Sequence, residues 1–146
     1  MRRILSSSVF VGLLVAVAAA IWSAAGAADC DAEKGRVFEL RTYVTYPGKL
    51  DALHKRFREH TCRLFKKHGI ELVGFWTPAE GPDAQNTLIY IVAFPSKEAQ
   101  KKAWADFGSD PEWKQAFADS HKDGVIVDQS KLKSQNLAAT DYSPIE

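Results

Sequence analysis

The sequence predicts an α+β domain of ferredoxin-like order, a β-α-β-β-α-β sandwich with a broken second helix. Three observations predict it. The stretch VFELRTYVTY, Val37 to Tyr46, alternates with the period of two that marks a strand. Leu50, Leu53, Phe57, Leu64 and Phe65 then fall on one stripe of a helix turning about 100° per residue. The run TLIYIVAF, 87–94, is apolar on both faces, as a strand covered on two sides is.

The chain begins with a segment that is set apart from the fold. Arg2 and Arg3 precede an apolar run from Val9 to Trp22, and the run ends in the small residues SAAGAA. A basic start, an apolar middle and an A-x-A-like end read as a secretory signal, with Ala25-Gly26-Ala27 as the cleavage site. The alternative is a retained anchor, since the uncharged run is nearly long enough to span a bilayer. The expected organisation is a signal peptide over 1–27, a flexible lead over 28–36 and one domain over 37–146. The protein is then exported, periplasmic or secreted, with no membrane attachment after cleavage.

Removing Arg2 and Arg3 from the 19 basic residues leaves 17 against 18 acidic ones. A balance near −1 argues against a nucleic-acid partner, which requires a basic face. The cluster HKRFREH, 54–60, reads as a solvated helix face. Both cysteines, Cys30 and Cys62, survive cleavage. In an oxidising compartment an even pair is commonly a disulfide, here within one chain, because the first helix brings Cys62 back toward the start of the first strand. Two free thiols, or a bridge between chains, are the alternatives.

Along the domain, Phe38, Leu40, Val44 and Tyr46 share one face of the first strand. Glu39, Arg41, Tyr43 and Thr45 share the other. Pro47 suits the first position of a helix that runs to His68, with Gly69 as its left-handed cap. IELVGFWT is a second strand, PAEGPDAQN a turn-rich connection and TLIYIVAF a third strand. Ser96 caps a second helix that Gly108 ends. Asp110 caps its continuation, with Pro111 in the first turn. VIVDQSKLK reads as a final strand and AATDYSPIE as a tail. Two helices on one side of a four-stranded sheet leave its other face bare, and a second copy is the simplest cover for an apolar bare face.

The segments FELRTYVTYPGKLDALHKRFREHT, LFKKHGIELVGFWT, NTLIYIVAFPSKEAQKKAWADFGSDPEWKQAFADS and TDYSP together resemble the NIPSNAP family, over nearly all of the mature chain. The resemblance implies a homodimer, a dimeric α+β barrel in which two ferredoxin-like sheets meet. Relatives in mitochondria are linked to vesicle traffic and to marking damaged mitochondria, which are partner-binding roles. Wider barrel relatives include cofactor-free monooxygenases and haem-binding enzymes. No catalytic residue of the family carries over. In such a barrel the apolar row of β1 is expected to face the helices. Glu39, Arg41 and Tyr43 then form a polar layer between the sheets that specifies the dimer. The alternative use of Arg41 is to hold a ligand anion.

The candidate chemistry is sparse. His54, His60, His68 and His121 form no i, i+4 pair, so no metal site is expected. No haem ligand, nucleophile arrangement or phosphate loop is signalled, and no cofactor is expected. The aromatics Trp76, Tyr90, Trp104, Trp113, Phe75 and Phe94 suit the lining of an apolar pocket. The candidate ligand residues are Arg41, Tyr43, His54, Trp76, Tyr90 and Trp104. Two functions follow. One is an exported binding module for a small apolar ligand or a protein partner. The other is a cofactor-free monooxygenase-type enzyme for an aromatic or quinone-like substrate. The enzyme needs a closed pocket with a polar group aimed into it, a solid core favours the interaction module, and a ligand-sized cavity between sheet and helices is the observation that decides.

Overall fold

A computed structural model of the chain describes residues 35–145. The expected signal peptide, most of the lead and Cys30 lie outside the described residues. The elements run β1 (Val37–Val44), α1 (Leu50–Arg56), a π-helical turn (Phe57–Thr61), α2 (Cys62–Lys67), β2 (Glu71–Trp76), β3 (Thr87–Phe94), α3 (Lys97–Ser109), α4 (Pro111–Ser120) and β4 (Lys133–Leu137). The strands form one antiparallel sheet in the order β2-β3-β1-β4. This is the ferredoxin-like arrangement, with α3 and α4 as the broken second helix.

The sheet is open and not closed into a barrel. β2 and β4 are its edges, and four strands are too few to enclose a core, for which about eight are needed.

The face of β1 that meets the helices is also the reverse of the expected one. Register places Glu39 opposite Val92 and Asn136, and Arg41 opposite Tyr90 and Ser134. This row lies under the helices, where Glu39 bonds to Gln100 and Trp104 of α3. Phe38, Leu40 and Thr42, with Ile89, Ile91 and Ala93 of β3, face the open side. The polar row is therefore not a layer between two sheets. Its partners come from α3 and β4, far away in sequence, and a period-two pattern carries no information about them.

Local signals account for most element ends. Gly69, at φ +74°, closes α2 in a Schellman motif: Ile70 N–H donates to the Phe65 carbonyl and Gly69 N–H to that of Lys66. Ser96 Oγ accepts from Ala99 N–H, and Asp110 Oδ1 from Glu112 N–H, so both expected N-caps are present. Pro47 instead occupies a turn closed by Lys49 N–H to the Tyr46 carbonyl. Gly48 there has φ +73°, which a type II turn requires, and the helix starts only at Leu50. The final strand comes later than expected. Val125–Val127 contributes a single bridge, Thr45 to Val127, and the pairing strand is the polar edge KSQNL. Ile126 and Val127 are apolar because they close the core without belonging to the ladder.

The expected disulfide is absent: Cys62 is a free, half-buried thiol, and burial pushes its pKa up against the pull of Lys66. Among the described residues no helix is long and apolar enough to cross a membrane.

The core lies between the sheet and the helices. Phe57, Phe65 and Phe75 surround the ring of Tyr90, which is fully buried. α2 and α4 are tied together by Asp110, whose Oδ2 accepts from Lys67 Nζ at 2.7 Å and bonds to His68 Nε2 at 2.6 Å.

Candidate functional site: an aromatic cleft with two arginines

Glu39, Arg41 and Tyr43 stand in a row on the helix-covered face of β1, because alternate residues of a strand share a side. Glu39 is 3% exposed, and both of its oxygens are saturated. Oε1 accepts from Ser134 Oγ at 2.5 Å and Arg41 Nη1 at 3.2 Å, while Oε2 accepts from Gln100 Nε2 and Trp104 Nε1, each at 2.7 Å. A buried carboxylate is tolerable on these terms and few others. The Arg41 guanidinium lies 4.6 Å from the Trp104 ring centre and 5.6 Å from that of Tyr43. Burial opposes its charge, but Tyr43, Tyr90 and Glu39 outweigh burial and raise its pKa. Tyr90 O–H donates to Tyr43 Oη at 3.0 Å, and burial drives the Tyr90 pKa well up.

Beyond this row opens a half-enclosed cleft of about 530 Å³. Its walls include Arg41 and Tyr43 of the sheet, Arg56, Phe57 and Thr61 at the π turn, Trp104 and Phe107 of α3, and Trp113 and Phe117 of α4. Phe65, His121, Val125, Val127, Gln129 and Leu132 complete it. The π turn shapes this wall. In a regular helix, residues five apart diverge by about 140°. Here Cys62 N–H donates to the Phe57 carbonyl five residues back, and Arg56 and Thr61 both reach the cleft.

Arg56 is the unusual group. It is 4% exposed and makes no ion pair among the described residues. Nη1 donates to Ser120 Oγ at 3.2 Å, and the guanidinium lies 5.5 Å from the Trp113 ring centre and 5.4 Å from that of Phe117. Its Nε, like that of Arg41, is buried with no acceptor. Burial lowers its pKa, with Tyr43 and Tyr90 opposing. The guanidinium keeps its charge, as arginine does in proteins generally. Cation–π contacts of about 0.5–2 kcal/mol each, with one charge-assisted hydrogen bond, offset a burial penalty of several kcal/mol. They supply no opposite charge, so this wall remains positive.

The structure divides the six expected ligand residues. Arg41, Tyr43 and Trp104 meet at the cleft. Tyr90 sits behind Tyr43, sealed in the core. His54 and Trp76 border a different hollow, with Phe75, Cys62 and Leu88. Of the other aromatics, Trp113 lines the main cleft and Phe94 is core. The cluster HKRFREH is not uniformly solvated, since Arg56 within it is buried. The signal for it was present: Arg56 follows Leu53 by three residues and precedes Phe57, which places it beside the apolar stripe. Among the described residues no group of three or more His, Cys, Asp and Glu side chains is placed to hold a metal ion.

The molecule is thus a ferredoxin-like α+β domain with an aromatic, arginine-bearing cleft between its sheet and its helices. The chain belongs to the NIPSNAP family, whose model matches residues 38–144. A NIPSNAP family protein of unknown function from Agrobacterium tumefaciens is 24% identical, with a TM-score of 0.66 over 77% of this chain and 96% of that one. A NIPSNAP-like domain protein from Burkholderia xenovorans is 17% identical, with a TM-score of 0.64 over 76% and 90%. SnoaB, a cofactor-independent oxygenase from Streptomyces nogalater, is 13% identical, with a TM-score of 0.51 over 75% and 98%. These likenesses establish a shared fold. No curated protein matches the chain.

Proposed function

We propose that the protein is an exported binding module whose ligand is a small, largely apolar molecule held in the aromatic cleft. The observation that carries this reading is the cleft itself. About 530 Å³ lies within the range of small-ligand sites, and an apolar wall with a few polar groups is how such sites are built. The test uses N-phenyl-1-naphthylamine, a neutral aromatic dye, read by its fluorescence and by energy transfer from Trp104 and Trp113. Micromolar binding is expected. Val125→Trp, at a rim position 53% exposed, is expected to weaken it at least fivefold without disturbing the fold. Absence of binding, or indifference to Val125→Trp, overturns the reading.

A second reading uses the same cleft for cofactor-free oxygenation of an aromatic or quinone-like substrate. It is favoured by the Tyr43–Tyr90 phenol pair beside Arg41. The likeness to SnoaB is one of fold alone. Oxygen uptake with 1,4-dihydroxynaphthalene above the uncatalysed rate supports it, and uptake at that rate ends it.

The apolar open face motivates a further part of the proposal, that a second copy covers it in solution. Leu40, Ile89 and Ile91 lie there half-buried, and the Trp76 ring is 51% exposed. A surface of this kind is self-complementary about a two-fold axis. Sedimentation at micromolar concentration is expected to show a dimer, and a monomer ends this part.

A further inference from the structure

We infer that the ligand of the cleft carries an oxyanion, a carboxylate, sulfonate or phosphate on its apolar skeleton, and that Arg56 receives it. The inference rests on the reading of the cleft as a ligand site and adds the ligand's charge.

The two arginines of the cleft differ in how their charges are met. Arg41 is paired with Glu39, so that side of the cleft is electrically balanced. Among the described residues Arg56 has no carboxylate within ion-pair distance, and the single polar partner of its guanidinium is the neutral hydroxyl of Ser120. Elsewhere the chain pairs cations that need it less. Arg36 meets Glu71, Arg63 meets Glu112 and Lys67 meets Asp110, and all three are far more exposed than Arg56. Arg56, more deeply buried than any of these, has no such counter-charge among the described residues.

Its surroundings fit an aromatic anion in particular. The guanidinium lies over Trp113 and Phe117, and both rings also line the cleft. A ligand ring packed on this wall sets its acidic group beside Arg56. The Nε of Arg56 and that of Arg41 are both buried without an acceptor, and each N–H is a donor that an oxyanion can use. Among the described residues no carboxylate lines the cleft. Arg56 also borders a second hollow, with Glu59, Asp119 and Asp123, so it stands between an acidic side and the aromatic cleft.

The experiment compares two dyes with the same rings, 1-anilinonaphthalene-8-sulfonate and N-phenyl-1-naphthylamine, which differ by the sulfonate. The full mature chain is expected to bind the sulfonate at least tenfold more tightly. Arg56→Met is expected to abolish that preference, read as the ratio of the two affinities, whatever its effect on the neutral dye. Lys101→Met removes the same charge from an exposed position outside the cleft, and is expected to change neither. Because Arg56→Met removes an unpaired buried charge, the variant is expected to melt no lower than the parent without ligand. If it does not fold, Arg56→Lys serves instead: it keeps the charge, loses the planar donors and is expected to retain only part of the preference. Equal affinity of the parent for both dyes overturns the inference and leaves the cleft standing as an apolar site. A loss on Lys101→Met equal to that on Arg56→Met also overturns it, since the effect would then be net charge. If neither dye binds, the cleft reading and the inference fall together.

Discussion

On the helix-covered face of the sheet, Glu39 is buried and Arg41 half-buried among Gln100, Trp104, Tyr43 and Ser134. On the open face, Leu40, Ile89 and Ile91 are only half-buried, and Trp76 folds its ring back over Gly74. The more polar side of β1 is thus the side that carries the helices. Burial here follows available partners more closely than hydropathy. Glu39 is inside because four donors converge on it, and Leu40 is partly outside because no helix is packed above it. The groove on the open side, lined by Phe38, Val73, Ile91 and Leu137, is bordered instead by the C-terminal tail at Thr140, Ser143 and Ile145.

The comparison breaks most sharply at Glu39. Glu39→Leu leaves Arg41 without its counter-charge and is expected to cost about 3–5 kcal/mol in urea unfolding. Glu39→Leu with Arg41→Met is expected to recover part of that loss, and a double variant as unstable as the single one would show that the ion pair is not the cause.

Adjacent residues on β3 measure the two faces directly. Leu88→Ala, under the helices, is expected to cost about 2–5 kcal/mol, and Ile89→Ala, on the open side, clearly less. Equal losses would mean that the open face is covered in solution.

Gly74 tests how tightly Trp76 lies on the open side. A Cβ at Gly74 would stand 2.4 Å from Trp76 Cη2, so Gly74→Ala must displace the ring. A cost of about 1–3 kcal/mol and a red-shifted tryptophan emission are expected.

The smallest effect concerns the clamp that joins α2 to α4 over the covered face. The Lys67 and His68 side chains hold the Asp110 carboxyl well below its ordinary value of 3.8. The unfolded chain therefore takes up more protons as pH falls below about 4. Stability contributed by Asp110 is complete above that point and is lost as pH falls through the depressed folded value. Asp110→Asn retains a capping side chain. It is expected to flatten the fall of the urea midpoint between pH 5 and about 2, and an unchanged slope would remove Asp110 from the acid response.

Much of the fold is legible along the chain, because its signals are local. The element order, the Gly69 stop, the Ser96 and Asp110 caps and Pro111 each depend on neighbours within a few residues. The family resemblance is legible for the same reason, through short motifs spread over the domain. The cleft is only partly so. Arg41, Tyr43 and Trp104 stand out as polar or aromatic residues in suggestive places, while Arg56 hides in a run of charges that resembles a wet helix face. The π turn that helps bring it to the cleft leaves no mark in the apolar spacing. The orientation of β1 is hidden more deeply. Alternation distinguishes two faces but cannot say which one meets the helices, and here the answer depends on Gln100, Trp104 and Ser134, between 61 and 95 residues away from Glu39. Hydrogen bonds at that separation exist only after the chain has closed, and they are what allow a carboxylate and a guanidinium to displace leucine from the interior.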